Sequence, residues 1–170
     1  MTGHVLEPPR KLERADKRTE FCSGADELDT WFKEYAWQNQ KANNAVVYVA
    51  VQDGQPLGYY AIATAAYSRE AAPESLAKHR PAEIPAILLA RLAVDRRAQG
   101  RGIGAALLKD AMQRSLKLSD AVGTALFIIH CRDDEAKRFY LANGDFVESP
   151  AHPMHLLLPF EQIRALLPRA

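Results

Sequence analysis

The feature that most constrains this chain is a strand, glycine-rich loop and helix between residues 91 and 108. An apolar strand ending at Val94 leads into a loop with Gly100, Gly102 and Gly104, and an amphipathic helix follows at once. Because glycine lacks a Cβ, such a loop can take unusual backbone angles and approach a ligand closely. The first turn of the helix adds unpaired N–H groups and the positive end of the helix dipole. The segment therefore predicts a binding site for a pyrophosphate group.

Composition places the chain among ordinary globular proteins. Its 170 residues are 48% hydrophobic and 25% charged, which suits a single domain covering residues 1–170. The N-terminal segment lacks the apolar core of a signal peptide, and no run approaches the ~20 apolar residues of a membrane-spanning helix. We therefore expect a cytoplasmic protein that does not enter a membrane.

The sequence predicts no metal site. The spacing typical of metal ligands is absent among Cys22, Cys131 and the five histidines.

Hydrophobic periodicity divides the chain into helices and strands. Ser23 with Asp26 predicts a capping box before a first helix, whose apolar face comprises Leu28, Trp31, Phe32, Tyr35, Ala36 and Asn39. The Asp53–Gly54 pair predicts a hairpin between strands 45–51 and 57–65. The next elements are a short helix or loop over 68–83, a strand over 84–94 that is buried on both faces, and a helix to about 118. A strand over 124–131 and a helix from 133 follow, and this helix ends at a glycine C-cap, Gly144. The last elements are strands at 146–147 and 154–158 and a helix over 161–167. This order predicts an α/β (α+β) fold, with a mixed central β-sheet flanked by helices in three layers.

The glycine spacing excludes two common phosphate-binding loops. A Walker A loop needs Lys and then Ser or Thr after its last glycine, whereas Gly104 is followed by Ala105. A Rossmann loop has the spacing G-x-G-x-x-G near the start of its domain, whereas this loop reads G-x-G-x-G beyond the middle of the chain. The stretch Gln99–Gly104, Gln-Gly-Arg-Gly-Ile-Gly, instead resembles the Q/R-x-x-G-x-G/A pattern of the Gcn5-related N-acetyltransferases (GNAT), which bind the pyrophosphate of acetyl-CoA. The predicted order of elements also resembles that of the GNAT fold.

Within that superfamily the chain resembles the TacT/AtaT type of bacterial toxin acetyltransferase. The resemblance covers nearly the whole chain, and Leu89–Asp95 matches the pattern L-x-R-L-A-V-D. Further matching stretches are Ala25–Phe32, Gln38–Asn39, Gly58–Tyr60, Ile84–Pro85 and Met154–Phe160. The resemblance implies acetyl transfer from acetyl-CoA to the α-amino group of aminoacyl-tRNA, which blocks translation. It also implies a homodimer and a ribbon-helix-helix antitoxin as partner.

The chemistry of acyl transfer, taken with this resemblance, nominates catalytic residues. The reaction needs donors for a tetrahedral oxyanion and a proton for the departing thiolate. We predict that the backbone N–H of Val94, at the strand end, meets the oxyanion. Tyr140 stands where these enzymes carry a tyrosine near the CoA sulfur, and a phenol of pKa about 10 can protonate a thiolate whose thiol has a pKa near 8.5. The cofactor-binding residues implied by the resemblance are Leu92, Ala93, Val94, Gln99, Gly100, Arg101, Gly102, Ile103, Gly104, Ala105 and Asp133.

Asp133 departs from the family's pattern. It lies seven residues before Tyr140, where related transferases often carry an Asn that contacts the pantetheine arm. An ionised carboxylate can accept a hydrogen bond there but cannot donate one.

The sequence shows no evident carboxylate that could act as a strong general base. This favours an α-amine as the acetyl acceptor, with a pKa of about 7.7–8.0, over a lysine side chain with a pKa near 10.4. Glu83 or a chain of water molecules could also serve as the base.

Basic residues supply candidates for contacts with tRNA: Arg91, Arg96, Arg97, Lys78, His79, Arg80 and Lys41. Arg91 is equally well explained as one partner of a structural ion pair.

Two other functions of the protein stay open, namely acetylation of a small amine or a protein N-terminus, and acetyl-CoA binding without turnover. A deep acidic acceptor pocket would favour a polyamine or an aminoglycoside, and an open basic groove would favour tRNA.

Overall fold

The computed structural model describes residues 5–167, so His4 and the start of the N-terminal segment lie outside the described residues. The strands are β1 Arg10–Lys11, β2 Val46–Gln52, β3 Gln55–Ser68, β4 Glu83–Val94, β5 Leu126–His130, β6 Val147–Glu148 and β7 His155–Pro159. The α-helices are α1 Asp26–Thr30, α2 Ala36–Lys41, α3 Glu74–Ala77, α4 Ile103–Val122, α5 Asp134–Asn143 and α6 Phe160–Leu166. The strands form a mixed sheet in the order β1-β2-β3-β4-β5-β7-β6. The predicted mixed sheet flanked by helices is confirmed.

The chain forms two compact units, each made of two separate segments. Unit 1 contains the residues up to Ala63 together with Ala90–Asp110, and unit 2 contains Thr64–Leu89 together with the residues from Ala111 onward. Both β3 and β4 contribute residues to each unit. In the part of the chain that the structure describes, no helix is long and apolar enough to cross a membrane.

Unit 1 is built on an antiparallel hairpin and an aromatic core. β2 and β3 pair from Val46–Ile62 to Gln52–Gln55, and the turn residues Asp53 and Gly54 have φ angles of 52° and 74°. These positive angles belong to the tight turn that the Asp-Gly pair predicted. The core beneath the hairpin contains Phe21, Phe32 and Tyr59, which are all buried.

The predicted capping box at the first helix is wrong. α1 begins at Asp26 with Ala25 as its N-cap, and no side chain caps it. The carboxylate that reaches back belongs to Asp29, which accepts hydrogen bonds from the Ser23 N–H at 3.0 Å and the Ser23 hydroxyl at 2.6 Å. The helix starts later than the capping box assumed, so the reciprocal contact moves one turn further along.

The apolar face of this helix is also shifted from the prediction. A π-helical turn, Trp31–Tyr35, lies between α1 and α2. A π turn takes up one more residue than an α turn, so the residues after it change face. Phe32 and Ala36 are buried as expected, whereas Tyr35 is 48% exposed. The Phe32 carbonyl accepts a hydrogen bond of 2.8 Å from the Arg18 guanidinium.

Unit 2 holds a parallel strand pair and an inserted strand. β4 and β5 pair in parallel from Ala86–Leu126 to Leu89–Ile129, while β7 pairs with both β5 and β6. Thus β7 lies between β5 and β6, which the order along the chain does not predict. The segment 68–83 contains a 3-10 turn and the short helix α3, as predicted.

Two details differ from the sequence expectation. β4 is not buried on both faces throughout, because Pro85 and Ala90 are exposed and Arg91 is half-buried. Gly144 follows α5, but its φ of −170° is extended and not left-handed. Glycine fits there because a Cβ would lie 2.5 Å from Cε2 of Phe146. Crowding, and not backbone conformation, therefore explains this glycine.

Candidate active site

The loop from β4 to α4 is the most chemically distinctive part of unit 1, and we call Val94–Ala105 the glycine cradle. Gly100 and Gly102 have φ angles of 81° and 79°, in the left-handed region that glycine adopts without steric cost. A Cβ at either position would meet nothing within 4 Å. Both glycines therefore serve the backbone conformation, and the space beside them is open to a ligand.

The first turn of α4 supplies donors to that space. The first hydrogen bond at this helix start runs from the Ala106 N–H to the Gly102 carbonyl at 3.1 Å. The N–H groups of Ile103, Gly104 and Ala105 precede it and have no acceptor within the helix. Together with the positive end of the helix dipole they fit a pyrophosphate, the group that the cradle would hold in acetyl-CoA.

Asp95 fixes the start of the cradle. Its side chain is buried and accepts hydrogen bonds from the Cys22 N–H at 3.0 Å and from the Arg97 N–H and Nε at 2.8 and 2.9 Å. Burial alone would raise the pKa of Asp95, but the hydrogen bonds from Arg97 and Cys22 outweigh it and hold the pKa below its ordinary value. The carboxylate thus stays charged and joins the backbone at Cys22 to the start of the loop at Arg97.

Two other cradle side chains are committed to the protein itself. The Gln99 amide donates to the carbonyls of Ser23 and Val94, each at 2.9 Å. The Arg101 guanidinium donates to the Gln52 side chain at 3.0 Å. Gln99 therefore shapes the cradle, and a ligand would meet its backbone before its amide.

The Val94 N–H is directed away from β3. The next N–H along the chain, that of Asp95, donates to the Leu57 carbonyl of β3 at 2.8 Å. Because successive N–H groups point to opposite edges of a strand, the Val94 N–H points to the other edge. The parallel pairing of β4 with β5 ends at Leu89–Ile129, five residues before Val94. This N–H therefore points away from β3, and its contact with the oxyanion stays a prediction.

Tyr140 lies on α5 in unit 2 and is 7% exposed. Its hydroxyl makes no hydrogen bond to any of residues 5–167, whereas the hydroxyls of Tyr59, Tyr60 and Tyr67 are all hydrogen-bonded. Burial, reinforced by the nearby Cys131, raises the pKa of Tyr140 well above its ordinary value. A buried tyrosine usually has a hydrogen-bond partner, so a buried hydroxyl without one is a candidate for contact with a ligand.

Two further side chains of unit 2, those of Cys131 and Asp133, have well-defined surroundings. Burial raises the pKa of Cys131 to about 11, which keeps the thiol protonated and unreactive near neutral pH. Asp133 is the N-cap of α5, where its Oδ1 accepts from the Ala136 N–H at 2.8 Å and its Oδ2 lies 3.0 Å from the Arg132 guanidinium. Asp133 is thus occupied by capping, which is a different use from the Asn contact of related enzymes.

The candidate tRNA residues have varied surroundings. Arg91 lies over the Trp31 ring, with its guanidinium carbon 4.7 Å from the ring centroid. Arg97 pairs with the buried Asp95 and so acts structurally. Arg96 is exposed and packs beside Gly24 in unit 1. The remaining candidates are Lys41 at the end of α2, and Lys78, His79 and Arg80 after α3, of which Arg80 is half-buried and the others are exposed.

A histidine cluster in unit 2 is a feature that sequence reasoning missed. The rings of His130 and His155 stack at 4.0 Å, His152 lies 4.6 Å from His155, and the Tyr67 hydroxyl is 3.0 Å from Nδ1 of His155. Burial and the neighbouring imidazoles lower the pKa values of His130 and His155. Within residues 5–167 no group of three or more His, Cys, Asp or Glu side chains could hold a metal ion. The sequence carries no local signal for this cluster, because His130 lies opposite His155 only through the pairing of β5 with β7.

Comparisons with known proteins agree with this description. The family model described as an acetyltransferase (GNAT) domain matches residues 43–144. The chain belongs to the GNAT acetyltransferase family, as its sequence resemblance predicted. Over 167 residues it is 38% identical to the tRNA-acetylating toxin of Mycobacterium tuberculosis (strain ATCC 25618 / H37Rv), with 98% of this chain and 99% of that protein covered.

Solved structures show the same fold. AtaT complexed with acetyl-methionyl-tRNAfMet superposes with a TM-score of 0.87 and 28% identity, covering 95% of this chain and 99% of that one. A mutant AtaT toxin bound to the C-terminus of the antitoxin AtaR and acetyl-CoA gives a TM-score of 0.82 and 26% identity, covering 96% and 98%. The predicted GNAT fold is therefore confirmed.

Proposed function

We propose that this chain transfers the acetyl group of acetyl-CoA to the α-amino group of an aminoacyl-tRNA and so acts as a translation-blocking toxin. The observation that carries acetyl transfer is the glycine cradle, with its two left-handed glycines and three helix-terminal N–H groups. The observation that favours aminoacyl-tRNA as acceptor is the 38% identity, over 98% of the chain, to a tRNA-acetylating toxin.

The mechanism assigns one role to each residue. The neutral amine attacks the thioester carbonyl carbon, and the Val94 N–H donates to the oxyanion that forms. As the C–S bond breaks, Tyr140 donates its proton to the departing thiolate. The acetylated nitrogen loses its extra proton to water, and the Tyr140 phenolate regains a proton from solvent before the next turnover. The cofactor-binding residues predicted from the sequence are kept in this proposal, with Gln99 and Asp133 acting through the shape of their loops.

Two features of biological context belong to the same proposal. We assign this chain an antitoxin partner of the ribbon-helix-helix type and a homodimeric state in the cytoplasm, where charged tRNA occurs. The antitoxin is supported by the AtaT structure that contains the C-terminus of AtaR. The dimer rests on the family resemblance alone.

The test is induced expression of the wild type and Tyr140→Phe without antitoxin, followed by mass spectrometry of charged tRNA. We expect growth arrest and N-acetylated aminoacyl groups for the wild type alone. Unmodified tRNA with CoA release on another amine would instead assign the chain to small-amine or protein N-terminal acetylation. Cofactor binding without any CoA release would indicate a non-catalytic acetyl-CoA-binding protein.

A further inference from the structure

A groove in unit 1 adjoins the first helix and β4, and it is not explained by acetyl-CoA binding. We call it the Trp31 groove; it has a volume of about 490 Å³ and is lined by Asp26, Glu27, Thr30, Trp31, Tyr35 and Arg91. It combines two carboxylates, two aromatic rings and one guanidinium. This mixture differs from both acceptor pockets considered from the sequence, since it is neither purely acidic nor purely basic.

A series of stacked groups connects this groove to the aromatic core. Phe32 and Tyr59 stack at 4.2 Å with an interplanar angle of 5°, and Tyr59 and Trp31 at 6.1 Å with 15°. The Arg91 guanidinium then lies 4.7 Å from the Trp31 centroid and lines the groove. The inner members are buried and hold Trp31 in place, so Arg91 is supported in a fixed position. Both guanidinium groups and aromatic rings are surfaces on which nucleobases stack.

The π-helical turn gives the groove its second ring. In a regular helix Tyr35 would share the buried face with Phe32, but the turn leaves Tyr35 48% exposed at the groove. Arg18 donates to the Phe32 carbonyl within the turn and stabilises the distortion. Such turns are retained most often at functional sites. The exposed aromatic ring therefore points to a ligand.

The two carboxylates of the groove favour an ammonium group over a phosphate group. Asp26 and Glu27 would repel a polyanion but attract a cation. Arg91 and Tyr35 favour a planar aromatic group in the same space. The aminoacyl-adenosine end of a charged tRNA has both, namely a purine and a protonated α-amine.

Hydrogen bonds connect the segment before α1, beside the groove, to the end of β4. The Gln99 amide joins the Ser23 and Val94 carbonyls, and Ser23 lies three residues before Asp26. Arg91 lies three residues before Val94 on the same strand, which is about 10 Å along it. A ligand as large as an aminoacyl-nucleoside could therefore extend from the groove toward the Val94 N–H.

We propose that the Trp31 groove binds the aminoacyl-adenosine end of the acceptor, with Arg91 and Tyr35 contacting the base and the Asp26 and Glu27 carboxylates attracting the α-ammonium. This inference rests on the proposed function and adds its acceptor site. Acetylation removes the positive charge from the nitrogen. The carboxylates thus lose their attraction for the product, which favours its release.

The experiment measures the binding of puromycin, a stable aminonucleoside with a free α-amine, in a Trp37→Phe background. Trp31 is then the only tryptophan, so a ligand in the groove changes its fluorescence. We expect saturable quenching by puromycin and at least about fivefold weaker binding of N-acetylpuromycin. Removing the carboxylates with Asp26→Asn and Glu27→Gln together should abolish that preference. Glu34→Gln removes one negative charge from an exposed position outside the groove and should leave that preference intact.

Two further variants test the stacking contacts. Tyr35→Ala removes an exposed ring, so the fold should persist, and we expect both ligands to bind at least about fivefold more weakly. Arg91→Lys keeps the charge but loses the planar group, and it should weaken binding to a similar extent. Folding of each variant is checked by thermal unfolding.

Equal binding of puromycin and N-acetylpuromycin, or binding that none of these variants changes, would overturn the assigned groove. Acetylation of aminoacyl-tRNA is measured separately on the wild type. If tRNA is acetylated but the groove variants bind normally, only this inference fails. If no tRNA is acetylated, the proposed function fails, and the groove inference that rests on it fails with it.

Discussion

The glycine cradle and the surroundings of Tyr140 use different kinds of chemistry. The cradle is contiguous in the chain, and in the proposed mechanism it binds through backbone N–H groups, with the buried Asp95 holding its start in place. Tyr140 is proposed to act through one side chain, whose hydroxyl has no partner among the described residues and whose pKa is raised by burial. The comparison shows that backbone sites depend on local conformation, whereas a side-chain site depends on what the fold packs around it.

The largest expected effect comes from removing the Tyr140 hydroxyl. Tyr140→Phe keeps the buried ring but removes the proton donor, so kcat should fall by roughly 10²-fold or more. The KM for acetyl-CoA should change little, since the cradle is untouched. Steady-state CoA release over a series of acetyl-CoA concentrations, at a saturating concentration of the acceptor, measures both values. A kcat within a factor of about three of the wild type would remove Tyr140 from the proposed mechanism.

The next effect concerns the support of the cradle. Asp95→Asn loses the charged hydrogen bonds to Arg97, and we expect a loss of about 1–3 kcal/mol in the free energy of unfolding at neutral pH. Because the folded pKa of Asp95 is lowered, its stabilisation is present above the unfolded pKa of about 4 and is lost as pH falls through the folded value. Urea unfolding at pH 7 and pH 3 should show the two proteins converging at acid pH. A constant difference would show that packing, and not charge, sets the effect.

A matched glycine pair separates backbone strain from binding. Gly102 and Gly123 have φ angles of 79° and 81°, and a Cβ at either meets nothing within 4 Å. Ala at either position should therefore destabilise the fold similarly, by about 1–2 kcal/mol. Only Gly102→Ala should raise the KM for acetyl-CoA, because Gly123 lies beyond the C-terminus of α4. Equal KM values for both variants would contradict the assignment of the cradle.

The smallest effect is expected at the histidine cluster. The folded pKa values of His130 and His155 are lowered, so their contribution is intact above the unfolded pKa of about 6.5 and is lost as pH falls below it. The melting temperature should fall on the order of a degree or two between pH 7 and pH 5. His152→Gln, which removes the imidazole that lowers the pKa values of His130 and His155, should reduce this fall. His79→Asn, outside the cluster, should not, and an identical effect of both would argue against coupling within the cluster.

Much of the fold was predictable because its signals are local. The Asp53–Gly54 hairpin, the apolar strands and the helix after the glycines follow from turn chemistry and periodicity within short windows. Predictions from local patterns failed where a different residue formed the contact or where the helix geometry changed. Asp29 replaced Asp26 as the partner of Ser23, and the π turn moved Tyr35 to the surface.

By itself, the sequence determined the glycine cradle, the family and the position of Tyr140, because each depends on residue types at fixed spacing along the chain. Tertiary structure alone decided that β7 lies between β5 and β6, that His155 contacts His130, His152 and Tyr67, and that Arg91 stacks on Trp31. The physical reason is that these contacts join residues far apart in the chain. Their energies come from packing and burial, which no local pattern of residues encodes.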